Sequence, residues 1–71
     1  MIFTMTLTIK HPGMPSTILH KDVVHARSLS AALKKIDLSN EEICDLKNYG
    51  ITTWADEYGA LHTLEMKHEV N

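Results

Sequence analysis

Cysteine is almost missing from this chain, with Cys44 the only one in 71 residues. An internal disulfide is therefore excluded, as is a metal cluster built on several thiolates, and a reducing compartment is the expected home. Glycine and proline are scarce, with three of the first and two of the second. There is no glycine-rich phosphate loop and no linker that would separate two domains. No apolar run approaches the roughly 20 residues of a membrane span. Basic residues hold no excess: seven Lys and Arg stand against nine Asp and Glu, for a net charge of -2. They are scattered from Lys10 to Lys67 and do not form the stripe that phosphate-neutralising proteins carry. Met1 to Leu7 alternates apolar and hydroxyl residues, which is not the basic-then-apolar plan of a secretory signal. The expected location is the cytoplasm, that of a host cell if the gene is viral.

What is present is ordinary for a globular protein: 44% of residues are hydrophobic, too many for intrinsic disorder. At 8.0 kDa residues 1–71 form one domain. A domain of this size buries only about 60% of its unfolded surface and is expected to be marginally stable alone.

The chain punctuates itself clearly. Residues 2 to 10 alternate strictly, with Phe3, Met5, Leu7 and Ile9 on one side and Ile2, Thr4, Thr6, Thr8 and Lys10 on the other, which predicts a half-buried strand. His11 to Ser16 carries both prolines and a glycine and predicts a hairpin turn. The return strand, about Thr17 to Arg27, changes parity midway, and a bulge between Lys21 and Val23 would reconcile its halves. Ser28 then precedes Leu29, Ala32, Leu33 and Ile36 at helical spacing, with Lys34 and Lys35 suited to the negative end of a helix.

The second helix is announced by several start signals at once. Ser39 can accept from the amide three residues on, Glu42 can reach back to the amide of Ser39, and Leu38 can pack on Ile43: a capping box with a hydrophobic staple, contributing about 1 kcal/mol. Gly50 is placed to close this helix in a left-handed conformation. Its apolar stripe is narrow, Ile43 and Leu46 with Cys44 and Tyr49 as marginal members, so it is expected on the surface. The period then returns to two: Ile51 to Ala55 reads as a strand, Asp56 to Gly59 as a turn, and Ala60 to about His68 as the partner strand. The fold class is α+β, in the order ββααββ. The simplest packing is an antiparallel four-stranded sheet with two short helices on one face.

Constellations with chemical potential are few. Five histidines invite a metal reading, but zinc needs three or four convergent ligands. His62 and His68 lie about 20 Å apart along one strand. His11 and His20 flank the first turn without an evident third ligand; a shared site at a dimer interface is the metal alternative, and no metal or cofactor is expected within one chain. Cys44 lies past the first helical turn, where a dipole would best activate it, and is expected as a small buried or half-buried thiol. Glu41 and Glu42 are accounted for by the helix start, and Asp56 and Glu57 by the turn. No enzyme is expected.

Surfaces remain. Trp54 with Asp56, Glu57 and Tyr58 mixes aromatic area and negative charge, as energetic centres of interfaces do. Asp37, Glu41 and Asp45 are acids beyond what the cap needs and mark a second candidate contact face. If instead Trp54 belongs to the core, the first patch loses its anchor. The expectation is a small non-enzymatic accessory or regulatory protein that acts by protein–protein binding, as inhibitor or adaptor. The alternative is a nucleic-acid-associated regulator with Lys10, Lys21, Arg27, Lys34 and Lys35 on one face. A homodimer through an edge strand is also expected, with the Thr4-Thr6-Thr8 strand and the tail through Val70 as candidates.

Overall fold

A computed structural model describes residues 1–70. Six elements follow the expected order: β1 (Ile2–Lys10), β2 (Thr17–His25), α1 (Leu29–Lys34), α2 (Asn40–Tyr49), β3 (Ile51–Ala55) and β4 (Leu61–Glu69). The strands make one antiparallel sheet in the order β2-β1-β4-β3, and two helices complete the α+β domain. The two hairpins are thus joined by β1 and β4, which pair along all nine residues from Ile2–Glu69 to Lys10–Leu61.

This order corrects the candidate dimer edges. The threonine-bearing β1 and the strand that leads to Val70 are both central, and the open edges belong to β2 and β3. The bulge is also displaced. Leu7 pairs with His20 and Thr8 with Ile18, so the extra residue is Leu19, beside the turn, not one between Lys21 and Val23. Placed there, it lets His20, Asp22 and Val24 share the side of Phe3, Met5 and Leu7, while Ile18, Lys21 and Val23 share the side of the threonines.

Strand parity sets the layers. Phe3, Leu64 and Met66 are buried beneath Ala32 and Leu33 of α1 and Leu46 of α2, and Met5, Leu7, Val24, Ile36, Leu38 and Ile43 pack around them. Each fully buried large side chain contributes about 1.5–3 kcal/mol. Ser28 caps α1 through the amide of Ala31. That helix ends sooner than its apolar spacing suggests: the amides of Lys35 and Ile36 turn to the carbonyls of Ala32 and Leu33, three residues back, a tightened last turn. The Nζ of Lys35 donates to the His25 carbonyl at 2.6 Å and pins this end to β2.

The capping box of α2 is complete. The Ser39 hydroxyl accepts from the Glu42 amide at 3.2 Å, and Glu42 accepts from the Ser39 amide at 3.0 Å. Gly50 closes the helix at φ 75°, a conformation that costs a side-chain-bearing residue about 1 kcal/mol or more. Its carbonyl then receives the Met66 amide at 2.9 Å, so the chain passes from α2 straight into the sheet. Only Leu46 of α2 is buried. Cys44 is exposed, which corrects the expected buried or half-buried thiol: its position on the helix faces away from the Leu46 stripe, and its sulfur accepts from Asn48 Nδ2 at 3.3 Å. Among the described residues, no helix is long and apolar enough to cross a membrane.

Candidate functional site

The first turns of α2 lie beside β3, and the space between them is a cleft of about 340 Å³ lined by Ser39, Glu41, Glu42, Asp45, Thr52, Thr53 and Trp54. Helical spacing accounts for the acidic wall, since positions 41, 42 and 45 lie within one turn of each other. The opposite wall is the β3 segment from Thr52 to Trp54. One part-buried hydrogen bond holds the two walls together: Thr52, 5% exposed, donates its hydroxyl to Asp45 Oδ2 at 2.9 Å. Glu42 is engaged in the cap, whereas Glu41 is exposed at the mouth. No Lys or Arg side chain lines this cleft.

Trp54 is 38% exposed, so it is not a core residue. It has the parity of the covered face, together with Thr52, and lies beyond the buried cluster. Its support is His62, directly opposite on β4; the two rings stack at 5.3 Å and 7°. His62 is held in turn by Asp56, whose Oδ2 lies 2.9 Å from the ring Nε2. A carboxylate can only accept, so this contact assigns a proton to Nε2. The other oxygen of Asp56 accepts from the amides of Tyr58 at 2.9 Å and Ala60 at 3.0 Å, and so shapes the turn. The bond from His62 holds the Asp56 carboxyl below the ordinary carboxylate range; partial desolvation opposes this, and the amides of Ala60 and Tyr58 add to the lowering.

The expected contact residues therefore separate into distinct groups. Trp54, Glu41 and Asp45 share the cleft. Asp56 is engaged internally and positions the Trp54 platform. Glu57 and Tyr58 stand at the turn, Tyr58 at 81% exposure. Asp37 lines another recess, against β2, with Met5, Asp22, Val24, Lys35 and Ile36. His62 was not marked by its sequence environment; its signal was position, since it shares a face with Leu64 and Met66 and stands opposite the only tryptophan once β3 and β4 are paired.

The basic residues do not gather on one face. Lys10 and Lys21 share the threonine side of the sheet, whereas Arg27 and Lys35 line a recess with Met1, His25, Ala26 and Ala31, and Lys34 ends α1. His11 lies in the first turn and His20 on β2, where its ring is 3.8 Å from Asp22. Among the described residues, no three His, Cys, Asp or Glu side chains are grouped to hold a metal ion. Comparison with family models, characterised proteins and solved structures finds no match to this chain.

Proposed function

We propose that this protein is a small non-enzymatic accessory or regulatory domain that acts by binding another protein through the cleft between α2 and β3. The observation that carries the reading is the shared lining: Glu41, Glu42 and Asp45 on one wall, the lone tryptophan on the other, and no Lys or Arg among them. An arginine or lysine from a partner would set its cation against the carboxylates and its stem or charge against the indole, two interactions that reinforce each other. Trp54 is suited to be the anchor because His62 and Asp56 fix its platform before binding, which lowers the ordering cost of association.

In this reading His62 serves to position Trp54. A histidine–carboxylate pair serves nucleophilic catalysis when the ring also engages a hydroxyl or thiol. Here the His62 ring bonds the Asp56 carboxylate, and its face is covered by Trp54. The exposed free thiol of Cys44 suits a reducing compartment, and the cytoplasm is the location this proposal carries.

The test is capture of partners from the native cell by the wild-type chain and by Trp54→Ala and Glu41→Lys, with Lys67→Ala as a control on the other face. A partner that binds wild type and control but is lost with both cleft variants is the expected result. Equal capture by all four chains would sink the assignment of this cleft.

A further inference from the structure

The helices cover one face of the sheet, and among the described residues nothing is layered over the other. Strand register arranges that open face in rows across the strands. One row runs Ile18, Thr8, Thr63, Thr53; the next runs Lys21, Thr6, Glu65, Ile51; the third runs Val23, Thr4, Lys67. Within these three rows threonines and charges occupy the two central strands, while aliphatic residues stand at both rims: Ile18 and Val23 on β2, 61% and 53% exposed, and Ile51 on β3, 39% exposed; beyond the first row, Leu61 of β4, 43% exposed, adds an aliphatic residue to the same face. The solvated face of an antiparallel sheet is ordinarily polar, so aliphatic residues along both rims mark this one as a candidate contact surface.

The area of the molecule agrees with a missing layer. Its accessible surface is 5072 Å², whereas a compact monomer of 8.0 kDa exposes about 4,450 Å². The excess of about 600 Å² belongs to the molecule as a whole, and it is of the size that one partner contributes to a modest specific interface. The extents of 39 × 26 × 18 Å describe a slab, as a two-layer domain with one bare face should be.

We propose that a second copy of this chain covers the open face, related by a two-fold axis that lies between the sheets and runs along the mean strand direction. That rotation places β2 over β3 of the second copy and β1 over β4, with each row kept at its own level. Ile51 of the second copy then descends onto the aliphatic stem of Lys21, flanked by Ile18 and Val23, and the same happens at the opposite rim. Thr6 faces Glu65 of the second copy, and Lys21, one strand away, reaches the same carboxylate. A two-fold axis running across the strands through that row would stack Lys21 on Lys21 and Glu65 on Glu65, so charge selects the first arrangement.

Pairing edge to edge along β2 is the competing geometry, and β2 is guarded against it. The central amide of that edge, Val23 N–H, is taken by its neighbour's carboxylate, Asp22 Oδ1, at 2.8 Å. Lys21 sits beside it, and the Leu19 bulge interrupts the strand; a charge and a bulge are the usual means of blunting an edge. The guard on β2 disfavours that pairing and leaves the face as the proposed contact.

Sedimentation velocity of the full chain from micromolar to millimolar concentration tests this. A concentration-dependent dimer is expected. Lys21→Glu and Glu65→Lys should each raise its dissociation constant by about tenfold or more, and the double charge swap should return it toward wild type. Ile51→Lys should leave only folded monomer, with the fold checked by circular dichroism. A wild-type monomer at every concentration overturns the proposal and leaves the face to some other occupant. A dimer that ignores the charge variants and Ile51→Lys but is lost in Val23→Pro also overturns it, in favour of edge pairing.

Discussion

Trp54 and His62 face each other across β3 and β4 with their rings stacked at 5.3 Å. Because Asp56 grips the imidazole, the indole is held indirectly by a carboxylate two residues further along its own strand and turn. Replacing His62 by Ala should leave Trp54 more hydrated. Its emission, the only tryptophan signal in the chain, should shift to longer wavelength, and the melting temperature should fall. An unchanged spectrum would mean that the stack does not position the ring.

Asp56 should also leave a trace in acid. Its carboxyl titrates below the ordinary value because the folded state favours the charged form. The stabilisation is therefore complete above the ordinary aspartate pKa of about 3.9 and is lost as pH falls through the lower folded value. Thermal melts of wild type and Asp56→Asn should differ at neutral pH, with wild type the more stable, and should converge as the pH is lowered below about 4. A constant difference across that window would contradict the bonded carboxylate.

The core is small enough for one truncation to matter. Leu46 is fully buried and is the only buried residue of α2. Leu46→Ala should cost about 2–5 kcal/mol, against a total stability of about 4–10 kcal/mol for a chain of this length. Urea unfolding should show a large drop in midpoint, with much of the protein unfolded before any denaturant is added if the total lies near the lower bound.

Thr52→Val keeps the volume of the side chain but removes the donor to Asp45. A polar group left without its partner there should cost about 1–3 kcal/mol. Thr53→Val, at the next and exposed position, should change stability by no more than about 0.5 kcal/mol. Equal effects at the two positions would show that the α2–β3 bond is not a structural tie.

The guard on the β2 edge can be read residue by residue. In Asp22→Ala the Val23 amide loses its carboxylate acceptor and should exchange with solvent deuterium faster than in wild type, while the Val24 amide changes little. Equal acceleration of both would indicate fraying of the whole strand and no specific guard.

Local signals carried much of this architecture. Alternation identified β1 and sorted its faces correctly, and Ser39, Glu42 and Gly50 marked both ends of α2, because caps and parity depend on neighbours within four residues. The register of β2 was not legible for a physical reason. All its residues except Val24 are exposed, so its hydrophobic pattern has little core to answer to and cannot locate a bulge. The site was legible in pieces: Trp54, Glu41 and Asp45 were marked as contact residues. Their meeting in one cleft depends on how α2 lies against β3, and the role of His62 depends on the pairing of β3 with β4. The strand order is likewise a long-range outcome, and it moved both candidate edges into the centre of the sheet.

Placing β1 and β4 side by side has a kinetic consequence. Each hairpin can zip by itself within microseconds, but the seam between them joins Lys10 to Leu61 and Ile2 to Glu69. Contacts so distant along the chain close late and slow the rate. During synthesis β4 emerges last, so a β1–β2 hairpin formed before it would have one flank of β1 unpaired. For that interval the nascent chain carries a bare, threonine-lined strand edge that the finished protein does not have.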